Sequence, residues 1–272
     1  FLAAGGNLPL VVIEHSHTEI TRSFSDHPKP LMTNPVCVIV GPGEGLGRAL
    51  AAKFAGHGFD LGLVSRSERN CSATIEAVTR ISGVARFYQA DATQPLTVES
   101  AIANINRDMG EITLLIYNVR GRFDSCAPLD MTYEALERNY REEVVGAFAA
   151  AKSVLPEMIE RGGGSIFFSS ATAAFRGSAR FPLYAIGKFG LRALAQSLSK
   201  AYAGDGIHIA HFRLDCDLGV PVMKELYGSN YDPESLADPD AVAESYWLTF
   251  QQPRSAWSNE IEIRPCTETW TY

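Results

Sequence analysis

The 272-residue chain has a net charge of −7, 46% apolar residues and 20% charged residues, which fits one sizeable globular domain. The negative charge argues against nucleic acid or an anionic membrane surface as a partner. No apolar run approaches the ~20 residues of a membrane span. The five cysteines lie far apart, which favours a reduced, cytoplasmic protein over a disulfide framework or a zinc site.

Residues 1–31 stand apart from the rest of the sequence. They contain His15, His17 and His27, but they lack the basic start and long apolar core of a signal peptide. His15 and His17 would share one face of a strand, yet two histidines make a poor metal site, so we predict no metal. Met32 looks like a natural start. We expect residues 1–31 to be an N-terminal extension or an expression remnant, and residues 32–272 to be a single domain.

Residues 36–66 predict a β-α-β unit. Val36–Val40 is an unbroken apolar run, as expected of a strand buried on both faces of a parallel sheet. An apolar residue then recurs every fourth position, which is the stripe of a helix packed on a sheet: Leu46, Leu50 and Phe54. Residues 59–65 form a second apolar run and predict the second strand.

Three glycines stand between this first strand and helix, at Gly41, Gly45 and Gly47. One would permit a tight turn, one would let the backbone approach a pyrophosphate, and one would let the helix lie close to the strand. The free N–H groups of the helix N-terminus, at Leu46 and Gly47, would then face the phosphates. A glycine turn in this context predicts a dinucleotide site.

Strand and helix patterns alternate through the remaining sequence. We predict helices at 68–81, from Pro95, within 131–159, at 183–203 and at 241–250. We predict strands at 84–90, Ile112–Tyr117, 166–169, 207–212 and 261–263, with a loop-rich segment at 220–239. This order predicts one α/β domain with a doubly wound, mostly parallel sheet and helices on both faces.

A second group of chemically active residues lies in the predicted helix at 183–203. Tyr184 and Lys188 are four residues apart, so their side chains share one helix face. The lysine ammonium, helped by a cationic nicotinamide ring, would lower the tyrosine pKa from about 10 toward the working pH. Such pairs are common on helices, but this one follows a dinucleotide turn and a strand that ends in Ser169-Ser170.

With these motifs the sequence resembles the short-chain dehydrogenase/reductase family. The matching segments occur in the family's order and cover residues 32–272: VGPGEGLG (40–47), DA (91–92), YNV (117–119), SS (169–170) and YAIGK (184–188). The resemblance implies a Rossmann-like fold and NAD(P)-linked hydride transfer between a carbonyl and an alcohol.

The resemblance also implies roles for individual residues. Tyr184 would donate or accept the proton, and Lys188 would tune it and bind the nicotinamide ribose. Ser170 would hydrogen-bond the carbonyl oxygen, with Ser169 and Thr172 as weaker candidates. Asp91 would meet the adenine, and Asn118 and Val119 would line the cofactor. With the glycine turn and the end of the second strand, the predicted cofactor site comprises Gly41, Gly45, Leu46, Gly47, Ser65, Arg66, Asp91, Ala92, Asn118, Val119, Tyr184 and Lys188.

One departure from the family pattern bears directly on the chemistry. The family's N-V-x-G-x-F segment supplies an Asn that helps hold a water in the proton relay to the lysine, but this sequence reads Glu143-Val-Val-Gly-Ala-Phe148. Glu143 would hold the same water, pair directly with Lys188, or play only a structural part. Asn139 lies one turn earlier and could partly substitute. We place Glu143 among the candidate catalytic residues.

Arg66 bears on the choice of cofactor. An acidic residue at the end of the second strand would bind the ribose 2′-hydroxyl of NAD, whereas an Arg accommodates a 2′-phosphate. The strand here ends in Ser65-Arg66, which favours NADP(H) over NAD(H). Glu44 could oppose a phosphate in this region, and the alternative interpretation of Arg66 is a solvated loop residue.

The sequence says less about substrate and assembly. Apolar residues in the segment 220–239 suit a lid, and four arginines near strand ends could bind a carboxylate: Arg120, Arg122, Arg176 and Arg180. We expect a small apolar or aromatic carbonyl compound or alcohol as substrate, and a homodimer or homotetramer. The alternative is a dinucleotide-binding relative with little or no catalysis and a regulatory or structural role.

Overall fold

A seven-stranded parallel sheet forms the centre of the computed structural model, which describes residues 34–268. The strands are β1 (Val36–Val40), β2 (Asp60–Ser65), β3 (Ala85–Gln89), β4 (Ile112–Tyr117), β5 (Gly164–Ala171), β6 (Ile207–Leu214) and β7 (Glu260–Ile263). The helices are α1 (Leu46–Gly56), α2 (Ser72–Arg80), α3 (Pro95–Met109), α4 (Tyr133–Tyr140), α5 (Gly146–Glu160), α6 (Pro182–Tyr202), α7 (Pro221–Tyr227) and α8 (Pro239–Phe250). The proposed extension at residues 1–31, with its histidines, lies outside the described residues.

The strands are arranged in the order β3-β2-β1-β4-β5-β6-β7, and every neighbouring pair is parallel. The predicted doubly wound sheet is therefore confirmed. The chain leaves β1 toward β2 on one side and later returns to β4 on the other. Ligands of such sheets bind in the crevice that this reversal opens at the carboxyl ends of the strands.

Helices cover both faces of the sheet, and a separate apolar core fills the space on each face. Val36 and Val38 of β1 belong to the core under α3, α5 and α6, whereas Cys37 and Ile39 belong to the core under α1, α2 and α8. The alternation follows from the two-residue period of a strand. Within the described residues, no helix combines the length and apolar character needed to cross a membrane.

Three predicted elements differ from the structure. The helix expected at 68–81 begins only at Ser72, because Glu68–Cys71 forms a tighter 3₁₀ turn. The segment predicted to be loop-rich at 220–239 contains α7, which begins at Pro221 in the position that suits proline and ends before Gly228. The helix expected within 131–159 is interrupted by a π-helical turn at Arg141–Val145, between α4 and α5.

Candidate active site

The glycine turn after β1 is held against the end of β4. Gly41 has a φ of +86°, which favours glycine, and a Cβ there would lie 2.8 Å from the Asn118 carbonyl oxygen. Asn118 in turn donates from Nδ2 to the Gly41 carbonyl at 2.9 Å. At Gly47 a Cβ would lie 2.6 Å from the Pro42 Cα. The glycines therefore bring α1 close to the turn, as the sequence predicted, and they also let the end of β4 approach it.

The same turn is open at Gly43, whereas a Cβ at Gly45 would lie 2.9 Å from Val220 Cγ1. A Cβ at Gly43 would meet no atom within 4 Å, and no side chain caps the first turn of α1 after Gly45. Backbone N–H groups at a helix start suit a pyrophosphate. These residues fit the cofactor that the turn implies.

The other predicted cofactor residues lie at the carboxyl ends of β2, β3 and β4. Ser65 is the last residue of β2, and the exposed Arg66 follows it. Gln89 donates from Nε2 to the Arg66 carbonyl at 3.2 Å. Asp91 and Ala92 follow β3, where Asp91 Oδ1 accepts from the Thr93 backbone N–H at 2.9 Å. The sheet order places these groups along one edge.

The hydroxyl groups at the end of β5 have different partners. Ser169 Oγ lies 2.9 Å from the Tyr246 hydroxyl of α8, and Thr172 donates to Asp215. Ser170 Oγ is buried and makes no hydrogen bond with the described residues. Because successive strand side chains point to opposite faces, Ser169 and Ser170 cannot both serve one site. Ser170 is thus the hydroxyl that is free to bind a ligand.

Tyr184 and Lys188 lie together on the buried face of α6. The Lys188 Nζ atom is 5.5 Å from the centre of the Tyr184 ring. The same ammonium donates to the Val119 carbonyl at 3.4 Å and to the Ser169 carbonyl at 3.3 Å. The lysine therefore joins the ends of β4 and β5 to α6, beside the glycine turn.

Glu143 forms a direct ion pair with Lys188. Its Oε2 lies 2.7 Å from Lys188 Nζ, and both side chains are buried. Its Oε1 accepts the Gly121 backbone N–H at 2.7 Å. Among the alternatives left open by the sequence, the structure thus favours direct pairing of Glu143 with Lys188. The Glu143 side chain does not face solvent.

Two glycines make room for this carboxylate. At Gly187 a Cβ would lie 2.4 Å from Asn139 Oδ1 and 2.8 Å from Glu143 Cγ, and a Cβ at Gly121 would be similarly close to both side chains. The Asn139 amide is buried and makes no hydrogen bond with the described residues. Asn139 therefore lies beside Glu143, but Glu143 alone of the two contacts Lys188.

The π-helical turn sets the position of Glu143. The Gly146 N–H bonds the Arg141 carbonyl, five residues back, rather than the Glu142 carbonyl. The Glu142 carbonyl instead accepts the hydroxyl of Tyr117, at the end of β4. π-Helical turns are frequent at functional sites. No periodicity in the sequence indicates this turn, which depends on the distant Tyr117.

Burial is the largest influence on the pKa of both Tyr184 and Lys188. Burial raises the pKa of Tyr184, Lys188 lowers it and Glu143 raises it, leaving the net pKa above the ordinary tyrosine value. Burial lowers the pKa of Lys188, but the charge and hydrogen bond of Glu143 together with the charge of Tyr184 raise it, and the net pKa lies above the ordinary lysine value. Lys188 therefore lowers the pKa of Tyr184 as expected, but burial outweighs it, and the predicted help of the nicotinamide ring stays a prediction.

Comparison with known proteins identifies the family. A family model described as short chain dehydrogenase matches residues 35–214. The chain belongs to the short-chain dehydrogenase family. A short-chain dehydrogenase/reductase from Armillaria gallica is 28% identical over 180 residues, 65% of this chain and 69% of that protein. A 2-(S)-hydroxypropyl-CoM dehydrogenase from Xanthobacter autotrophicus is 25% identical over 204 residues, 75% of this chain and 79% of that protein.

Solved structures of short-chain dehydrogenases share the fold. The crystal structure of a short-chain dehydrogenase from Rhodopseudomonas palustris aligns with a TM-score of 0.74 at 29% identity, covering 85% of this chain and 99% of that chain. An actinorhodin polyketide ketoreductase with NADPH aligns with a TM-score of 0.76 at 19% identity, covering 85% of this chain and 96% of that chain. As a short-chain dehydrogenase, the chain is an oxidoreductase by family, with a fold that binds a nicotinamide dinucleotide.

Proposed function

We propose that this short-chain dehydrogenase is an NADP(H)-dependent enzyme that interconverts a carbonyl and an alcohol on a small apolar or aromatic substrate. The observation that carries the proposal is the buried pair of Tyr184 and Lys188 on α6, where Lys188 donates to the Ser169 carbonyl at the end of β5 next to the unpartnered Ser170 hydroxyl. A proton donor and a hydrogen-bond donor at one site suit reduction of a carbonyl.

In this mechanism the nicotinamide supplies or takes up the hydride. Ser170 donates a hydrogen bond to the substrate oxygen and holds it toward Tyr184. The Tyr184 hydroxyl gives its proton to that oxygen during reduction and takes it back during oxidation. Lys188 stabilises the resulting phenolate by its charge, and the buried position of both side chains keeps bulk water from the proton.

Glu143 keeps Lys188 protonated and held in place. A carboxylate 2.7 Å from the ammonium favours the charged lysine. The same carboxylate weakens the field that Lys188 exerts on Tyr184, since its charge raises the Tyr184 pKa. We therefore propose that Glu143 holds Lys188 charged and in place, and that its charge makes Tyr184 more basic.

A more basic Tyr184 favours a second candidate function, a dinucleotide-binding protein with little catalysis. Both functions predict NADPH binding, so turnover must discriminate them. We expect NADPH to be consumed in the presence of at least one member of a panel of aromatic and aliphatic aldehydes and ketones. NADPH binding without consumption across the panel would favour the second function.

Cofactor choice gives a prediction about Arg66. We expect NADPH to bind more tightly than NADH, and Arg66→Ala to erase most of the difference, because a charge-assisted bond to phosphate contributes roughly 1.5–3 kcal/mol. Calorimetry with both cofactors measures this. Arg80→Ala is the control, since Arg80 is an exposed arginine paired with Glu76. Equal affinities in the parent protein would contradict the assignment and make Glu44 the deciding group.

We also propose a homodimer or homotetramer. The two long helices α5 and α6 carry apolar residues on more than one side, and some of them, such as Leu191 and Leu198, are buried within the chain. Phe148 of α5 and Phe189 of α6 remain 47% and 43% exposed. Exposed aromatic residues on neighbouring helices suit a self-complementary interface. Light scattering at micromolar concentration should give a multiple of the 29.6 kDa chain mass, whereas a monomer would contradict the proposal.

A further inference from the structure

An open aromatic surface lies directly against Tyr184. The rings of Phe123 and Phe181 are stacked, with centres 4.2 Å apart and an interplanar angle of 6°. The Phe123 ring meets the Tyr184 ring edge to face, with centres 5.0 Å apart. Phe123 is 48% exposed, whereas Tyr184 is buried. A flat apolar ligand group that contacts Phe123 would thus lie beside the proposed proton donor.

Arg120 lies on this aromatic surface with its charge available. Its guanidinium carbon is 5.6 Å from the centre of the Phe123 ring. Among residues 34–268, no carboxylate oxygen lies within the 4.0 Å ion-pairing distance of Arg120, whereas nearby Arg122 pairs with Asp124 at 3.0 Å. The charge of Arg120 lowers the pKa of Tyr184, consistent with its position near the phenol.

Both carboxylates that raise the pKa of Tyr184 are held by other groups, Glu143 by Lys188 and Asp217 by Tyr227. Asp217 raises the pKa of Tyr184, and its Oδ2 accepts the hydroxyl of Tyr227 at 2.5 Å. The two loops that carry the aromatic pair are joined by a hydrogen bond from the Cys126 N–H to the Arg180 carbonyl at 2.9 Å. Among the described residues, Arg120 is therefore a cation without a carboxylate partner. It lies on an aromatic surface whose two loops are joined by a backbone hydrogen bond.

We propose that Arg120 and the Phe123–Phe181 pair bind a substrate that carries a carboxylate on a flat apolar body. The carboxylate accepts two hydrogen bonds from the Arg120 guanidinium, the apolar body packs on Phe123, and the carbonyl reaches Ser170 and Tyr184. This inference rests on the proposed function of the same site and names its substrate class as aromatic oxo acids.

The test compares an acid with its neutral ester. We expect 3- or 4-formylbenzoate to be reduced with a kcat/KM about tenfold or more above that of its methyl ester, from one charge-assisted contact. In Arg120→Gln this ratio should fall to about one. Arg122→Gln is the matched control, because Arg122 already has a carboxylate partner, and its ratio should stay at the parent value.

Calorimetry separates this inference from the proposed function. The formylbenzoates and their esters are titrated into the protein saturated with NADP⁺. Binding of the acid that exceeds binding of the ester and is lost in Arg120→Gln supports the inference even if no compound is turned over, an outcome that would reject the proposed function alone. Equal binding of acid and ester, or a preference that survives in Arg120→Gln, would overturn the inference while leaving turnover of neutral carbonyl compounds intact.

Discussion

Replacing Tyr184 with Phe is expected to lower kcat/KM for carbonyl reduction by about 100-fold or more, the usual contribution of a positioned acid or base. The substitution removes only the phenolic hydroxyl and keeps the ring that contacts Phe123. Affinity for NADPH should change little, because Lys188 retains its contacts to the Val119 and Ser169 carbonyls. Steady-state rates and cofactor titration of the same preparations measure both effects.

The control for this variant is Tyr202→Phe, which removes a hydroxyl from the same helix, α6, at its far end. We expect the control to keep the parent rate. Retention of most activity in Tyr184→Phe would reject Tyr184 as the proton donor, and an equal loss in both variants would indicate a general disturbance of α6.

Glu143→Asn is expected to keep or raise activity and to move the alkaline-side pH dependence of alcohol oxidation to lower pH. The carboxylate raises the pKa of both Tyr184 and Lys188. Removing it lowers both pKa values, so the phenolate that accepts the proton forms at lower pH. Profiles of kcat/KM against pH for the parent and the variant measure the shift.

Glu142→Gln provides the matched control, because Glu142 is the adjacent buried carboxylate but pairs with Arg138 at 3.4 Å, away from Lys188. Its pH profile should coincide with that of the parent. An unmoved profile in Glu143→Asn would show that the buried pair has no part in the proton chemistry. A large loss of activity would contradict the expected direction and make Glu143 a required acid–base group.

Much of the fold could be predicted because its signals are local. The apolar run Val36–Val40, the glycines after it and the stripe of α1 all lie within one β-α-β unit, and the structure confirms each. The four-residue spacing of Tyr184 and Lys188 likewise fixes their common face on α6. α7 was missed because its seven residues give too short a pattern, although Pro221 and Gly228 mark its ends.

The features that the sequence could not predict depend on distant residues. The π-helical turn at Arg141–Val145 is supported by Tyr117 of β4, and neither segment indicates the other. The resemblance favoured Ser170 over Ser169, but the physical reason lies in the face of β5 that meets α8, where Tyr246 engages Ser169. The direct contact between Glu143 and Lys188 needs the space left by Gly121 and Gly187. These glycines meet Glu143 only after α6 and the loop after β4 have packed against it.

The most direct test of the account is the fate of deuterium carried at C4 of the nicotinamide. NADPH labelled on either face of the ring is incubated with the protein and the carbonyl panel, and the alcohols are analysed by mass spectrometry. The account predicts one deuterium at the carbinol carbon from only one of the two labelled cofactors, and labelled alcohol formed at least about 100-fold more slowly by Tyr184→Phe. Bound NADPH with no deuterium in any alcohol from the parent protein would contradict the proposal that this short-chain dehydrogenase transfers hydride to a carbonyl.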